Sequence, residues 1–171
     1  LSTNNSGSVA INNLTAAAKD VVFYSSTNVS GIKKFSFTIN EKNYLPSTGH
    51  FYEYVKDIGV SWTDAKAKAA ALDYYGMQGY LATITSYDEV KLSGEQAKGT
   101  GWIGASDQSD EGTWKWVTGP EAGKTFWIGT VGGSTNGTDI PYEYWNTNEP
   151  NNLGNEDYAH ITAPNIGIKG S

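Results

Sequence analysis

The chain contains no cysteine and no arginine, and only two histidines. Without thiols there can be no disulfide, zinc–thiolate site, iron–sulfur cluster or cysteine nucleophile. All 12 basic residues are lysine, set against 18 Asp and Glu, so the net charge is -6 and the pI about 4.8. A binder of the nucleic-acid backbone needs a basic stripe, and this chain has none. No apolar run reaches the length of a membrane span. Leu1–Ala10 is polar, starts without Met and lacks a basic region ahead of an apolar stretch, so no signal peptide is read there. The expectation is a mature product or a piece of something longer.

What is present is aromatic and turn-rich. Aromatic residues make up 13% of 171 residues, with 6 Trp, 11 Tyr and 20 Gly. That is enough apolar surface for a packed core with many turns. Charge divides the chain. Residues 1–47 carry four Lys against two acids, or +2, and residues 48–171 carry eight Lys against 16 acids, or −8. Turn composition at Pro46-Ser47-Thr48-Gly49 marks the boundary. The first region reads as β-rich, from Val21-Val22-Phe23-Tyr24 and the alternating Lys34–Ile39, with turns at Asn12-Asn13 and Asn28–Gly31. Two or three strands cannot bury a core alone. Residues 1–47 are therefore expected to end a preceding β domain or to pack on the second region.

In residues 48–171 the pattern predicts an α+β domain. Phe51–Val55 reads as a strand, and Ser61 caps a helix over 61–75 with Trp62, Ala65, Ala69 and Leu72 at helical spacing. Tyr80–Ile84 reads as a short strand, and Ser86 caps a second helix from about 87 to 97. Trp102–Ala105 and Trp114–Val117 read as strands around an acidic turn. Residues 118–157 show no period and are expected to form one long irregular loop, packed down by Phe126, Trp127, Tyr142, Tyr144 and Trp145. Tyr158–Thr162 is the last strand.

Six carboxylates fall in two clusters: Asp107, Asp110 and Glu111, then Glu149, Glu156 and Asp157. With the amide oxygens of Asn151 and Asn152 they make a hard-oxygen ligand set, which suits Ca²⁺ and its 6–8 oxygen ligands. Near-absent His argues against Zn²⁺ and Cu²⁺. Asp107–Gly112 is not an EF-hand loop, because its twelfth position is Thr118 and its flanks are strands. The first acidic cluster alone reads as a solvated turn; the two together with Glu149-Pro150-Asn151 favour calcium.

From Gly49 onward the chain resembles a C-type lectin domain. Trp62-Thr63-Asp64-Ala65, Gly79–Ser86 with Glu89 ("G-x-L-A-x-I-x-S-x-x-E"), Trp102-Ile103-Gly104, Gly112-Thr113-Trp114-Lys115-Trp116, Glu149-Pro150-Asn151 and Glu156–Ile161 stand in that family's order. The resemblance implies the C-type lectin-like fold: two helices, short antiparallel strands and a long calcium-binding loop. It implies a cis peptide before Pro150, with Glu149, Asn151 and Glu156 binding Ca²⁺ and a mannose-type sugar together. It further implies an accessory calcium site from Asp107, Glu111, Asn152, Glu156 and Asp157. Ala69 and Tyr158 stand where the family's disulfide cysteines are usual, and Asn152 replaces a frequent carboxylate. The family's "W-N-D" and closing strand would begin near Ser171, so the chain reads as truncated there. With those ligands missing, monosaccharides are expected to bind weakly or not at all. The strand at 51–55 would then keep a free edge unless residues 1–47 or a partner chain cover it.

The function expected is a calcium-dependent, mannose-type carbohydrate-binding module of an extracellular or cell-surface adhesin, bacterial by its composition. Its partners would be glycans or polysaccharide and other surface proteins, with no nucleic acid and no membrane span. The alternative is a lectin-like fold serving protein–protein adhesion or assembly, with structural calcium or none. An enzyme is the weakest reading, since no nucleophile motif or phosphate loop is present. The remaining Trp residues and His160 read as packing and strand residues. Asn4, Asn13, Asn28 and Asn136 head N-x-S/T sequons, which mark surface loops in a eukaryotic secreted chain and mean nothing in a bacterial one.

Overall fold

The computed structural model describes residues 37–39, 42–97 and 99–162. The strand expected at 21–24, the turns at Asn12-Asn13 and Asn28–Gly31, and the first three sequons lie outside the described residues. Among the described residues the architecture is α+β, with two helices and short antiparallel strands. It contains a three-stranded sheet (β1 Phe37–Ile39, β2 Lys42–Leu45, β3 His50–Tyr52), a two-stranded hairpin (β4 Asp73–Tyr74, β5 Met77–Gln78) and a four-stranded sheet. The last has the order β8-β7-β6-β9, where β6 is Thr100–Ser106, β7 Thr113–Trp116, β8 Thr125–Ile128 and β9 Tyr158–Thr162. The helices are α1 Trp62–Ala70 and α2 Tyr87–Gln96. No helix among the described residues is long and apolar enough to cross a membrane.

The turn at 46–49 closes the β2–β3 hairpin, with Leu45 opposite His50. Residues on both sides of the charge boundary thus share one sheet, and β2 supplies a neighbour for β3.

Both helices begin where their serines place them. Ser61 Oγ accepts from Asp64 N at 3.1 Å, and Ser86 Oγ accepts from Glu89 N at 3.4 Å, each satisfying an orphan donor of the first turn. Helix α1 ends at Ala70, not near 75. Tyr75 and Gly76 both take positive φ, 54° and 82°, the signature of a two-residue hairpin turn, so the chain reverses into β4–β5. Tyr80–Ile84 is not a strand. It reaches β6 through one backbone bond, Gly104 N to Ala82 O at 2.8 Å, and the chain beyond β7 through Thr118 Oγ1, which donates to Leu81 O at 2.8 Å. That close approach requires Gly104: a Cβ there would sit 1.8 Å from Thr118 Oγ1 and 2.8 Å from Leu81 O.

The stretch expected as one loop over 118–157 contains β8. Gly123 N bonds Trp116 O at 2.8 Å, turning the chain so that Trp127 lies opposite Trp114. The main core gathers Ile84, Val90, Trp114, Trp116, Phe126 and Trp127 around Ala105. Trp116 and Phe126 stack at 4.5 Å, and Trp145 packs on Trp114 at 5.0 Å, so the loop after β8 is anchored by its aromatics. A smaller cluster of Leu45, Tyr52 and Leu92 joins the first sheet to α2. Tyr158, at a position where the resemblance expects cysteine, stacks on Trp62 at 4.5 Å and 18°, which ties β9 to α1 without a covalent bond.

Half-buried Tyr80 sits against Gly119, its hydroxyl 3.3 Å from His50 Nδ1. Burial pushes its phenol up to about 12, and the charges of Glu121 and Glu89 add to this. Tyr142 is raised to about 12 as well, again chiefly by burial. A phenol raised in the folded state contributes stability that is fully present below its unfolded value near 10 and is lost as pH climbs through about 12. Urea denaturation at pH 9 and pH 11 is expected to show a clear loss of stability at the higher pH, smaller in Tyr80→Phe. Equal pH sensitivity in the variant and the parent would refute this assignment.

Candidate functional site

Register brings the two acidic clusters together. Strand β9 pairs with β6 so that Ser106 lies opposite Tyr158. The next residue out from each, Asp107 and Asp157, therefore meet where both strands leave the sheet, and Asp107 N donates to Asp157 O at 3.3 Å. The turn after β6 then bends back. Asp110 N bonds Asp107 O at 2.9 Å, and Gly112 N donates to Asp107 Oδ2 at 3.0 Å. This turn carries Glu111 over the other two carboxylates. Asp107, Glu111 and Asp157 each present an oxygen within 4.8 Å of the others.

Three acids so close repel one another, and no ion pair joins them to a lysine among the described residues. Asp107 is only 2% exposed, yet its Oδ1 has no hydrogen-bond partner. Burial raises its carboxyl above the ordinary range; the Gly112 N–H opposes the shift and the Asp157 charge adds to it. Glu111 is raised by desolvation, then by the charges of Asp107 and Asp157. A buried, unpaired carboxylate oxygen facing two more carboxylates is the arrangement a hard divalent cation stabilises. The donor set fits Ca²⁺.

The 149–157 segment lies against this cluster. Asn152 Nδ2 donates to Glu111 Oε1 at 2.6 Å, and Asn152 Oδ1 accepts from Glu156 N at 3.0 Å. Asn155 Nδ2 donates to Asp157 Oδ1 at 3.1 Å. Asn155 was not among the residues expected from sequence; its left-handed φ of 68°, typical of Asn in a tight turn, is the only local sign of it. Backbone Gly112 N–H is a second group with no side-chain signal. The peptide before Pro150 is cis. Glu149 and Asn151 meet across it: Asn151 Nδ2 donates to Glu149 Oε1 at 2.9 Å and Asn151 N to Glu149 Oε2 at 3.1 Å, while Asn151 Oδ1 accepts from Leu153 N at 2.7 Å.

So the structure clusters Asp107, Glu111 and Asp157 and links Asn152 to them by one hydrogen bond. Exposed Glu156 is held through its backbone, and its carboxylate lies outside the clustered acids. Glu149 and Asn151 form a separate pair. Glu149, Asn151, Asn152 and Glu156 border a cleft of about 460 Å³ that also reaches Trp145 and β9.

No protein-family model matches the chain. Over 169 residues, 94% of the chain, it is 37% identical to Halomucin of Haloquadratum walsbyi, but it covers 2% of that protein. It is 34% identical over 85 residues, 48% of the chain and 19% of the relative, to the C-type lectin domain family 4 member M of Gorilla gorilla gorilla. Its identity to the protein of the same name in Nomascus concolor is 33% over 124 residues, 71% of the chain and 26% of the relative. The chain thus spans about a quarter or less of the length of these curated relatives. In sequence it is similar to C-type lectin domain proteins and to a stretch of Halomucin, and its α+β fold is consistent with a C-type lectin-like fold.

Proposed function

We propose that this chain is a calcium-dependent carbohydrate-binding module, of mannose-type preference, in an extracellular or cell-surface adhesin. The observation that carries the reading is the buried, unpartnered Asp107 Oδ1 within an acidic triad. Asp107, Glu111 and Asp157 would hold Ca²⁺, with side-chain oxygens of Asn152 and Glu156 as its further ligands. The ion would supply charge neutralisation that fixes the 149–157 segment. Glu149 and Asn151 would bind vicinal sugar hydroxyls, the carboxylate accepting and the carboxamide donating hydrogen bonds. Similarity to proteins named as C-type lectins supports this assignment.

A second reading, a protein–protein module with purely structural calcium, draws on one observation. Glu149 and Asn151 already satisfy each other at 2.9 Å, so sugar must displace an existing bond. A glycan array run with Ca²⁺ and again with EGTA separates the two readings. Mannose-type binding that vanishes in EGTA supports the lectin, and no binding in either buffer overturns it.

Calcium itself is tested by melting. At a hundred times the dissociation constant it is expected to stabilise the parent by about 2.7 kcal/mol. Asp107→Asn is expected to lose this gain while melting at or above the parent in metal-free buffer, because it removes a buried unpaired charge. Equal calcium-induced shifts in parent and variant would refute the metal assignment.

A further inference from the structure

One motif is untouched by the calcium and sugar chemistry. Of the four sequons, only Asn136-Gly137-Thr138 falls in the described residues, and the fold places it on a turn after β8. Ser134 pairs back onto Ile128, with bonds of 2.9 and 2.8 Å, and Ile140 N donates to Thr125 O at 3.0 Å, so residues 135–138 form a turn held to β8 on both sides. Asn136 N donates to Ser134 Oγ at 2.9 Å, while Thr138 N and Oγ1 both donate to Thr135 O, at 3.2 and 2.6 Å. Backbone and threonine are therefore fixed. The Asn136 side chain is exposed, and its carboxamide makes no hydrogen bond among the described residues. In contrast, Asn152 and Asn155 use their amides on the acidic site and Asn151 uses its amide on Glu149.

We propose that Asn136 is an acceptor for an N-linked glycan when the chain passes through a compartment holding an oligosaccharyltransferase. The co-substrate is a polyprenyl phosphate- or diphosphate-linked oligosaccharide. Asn136 Nδ2 forms a bond to the anomeric carbon of the first sugar, and the bond from that carbon to the lipid phosphate oxygen breaks. The amide loses one proton to solvent and the lipid phosphate leaves with the electron pair, so no redox partner is needed. Three features favour this acceptor. Glycine at 137 takes φ 78° and lets the turn present Asn and Thr without a side chain between them. No hydrogen bond of the turn reaches Asp107, Glu111 or Asp157, so a glycan leaves the cation cluster intact. Ile128, which pairs with Ser134 at the start of the turn, is 44% exposed, apolar surface that a glycan would cover.

The inference rests on the proposed extracellular placement alone and not on calcium or sugar binding. The test secretes the full chain from a eukaryotic host behind a cleavable signal. After cleavage at lysine, the peptide spanning 125–169 contains Asn136 as its only sequon. Intact mass and peptide mapping before and after a peptide N-glycosidase are expected to show a glycan on that peptide, with conversion of Asn136 to Asp on its removal. Asn136→Gln should abolish the modification at an unchanged secretion level, and Thr138→Ser should retain it. Recovery of the 125–169 peptide wholly unmodified from the secreted protein would overturn the proposal. Loss of mannose binding in the array would leave it standing.

Discussion

Replacing Glu89 with Ala is expected to lower the melting temperature by roughly 8–16 °C, on the order of 4 kcal/mol for a chain of this size. Glu89 is 2% exposed and has no lysine partner among the described residues; its charge is held by hydrogen bonds. Oε1 accepts from the Tyr52 hydroxyl at 2.7 Å. Oε2 accepts from Thr85 N and Thr85 Oγ1, both at 2.8 Å, and from Ser86 Oγ at 3.1 Å. Together these bonds tie α2 to β3 and to the chain entering the helix. Alanine orphans the Thr85 N–H and leaves the Tyr52 hydroxyl with only Thr48 Oγ1, 3.3 Å away, and each loss costs about 1–3 kcal/mol. The two serine and threonine hydroxyls can turn elsewhere. Glu89→Gln keeps the volume but must point an amide donor at other donors, so it should fall between the parent and the alanine variant. A melting temperature for Glu89→Ala within 2 °C of the parent, roughly half a kcal/mol, would refute the account.

The second large effect belongs to the main core. Trp116→Ala is expected to destabilise by about 3–5 kcal/mol, the usual range for removing a buried tryptophan. Trp116 is 2% exposed and stacks on Phe126 at 4.5 Å, and its Nε1 has no hydrogen-bond partner. The loss therefore comes from packing, and Trp116→Phe, which keeps most of the ring contact, should recover a large part of it. Chemical denaturation of both variants measures the difference. If alanine and phenylalanine cost the same, the stacking argument fails. Because Phe126 also packs on Trp145, at 5.9 Å, Trp116→Ala should in addition loosen the segment that leads to Glu149.

Some features were legible along the chain because their causes are local. Ser61 and Ser86 cap helices through bonds to residues three positions on, so both helix starts follow from the sequence. Strand β9 occupies Tyr158–Thr162 as its alternating pattern predicts. The acidic composition, the oxygen-only ligand set and the Glu149-Pro150-Asn151 triplet were equally plain. The end of α1 was not. Its apolar spacing runs on to Leu72, and the reversal depends on Tyr75, an aromatic residue that carries no usual mark of a left-handed turn position. Likewise β8 is hidden among Gly and Thr, and it exists because Trp127 can lie opposite Trp114 across the sheet.

The candidate site divides the same way. Sequence supplied the carboxylates Asp107, Glu111 and Asp157, but two acids fifty positions apart have no reason to meet until β6 and β9 pair with Ser106 opposite Tyr158. Only that register makes neighbours of Asp107 and Asp157, and only the packing behind them buries Asp107 with one oxygen unpartnered. Local propensity selects which residues start helices and which can ligate a hard cation. Non-local pairing decides which of those residues share a site, because that choice is made by long-range contacts whose partners the local pattern does not contain.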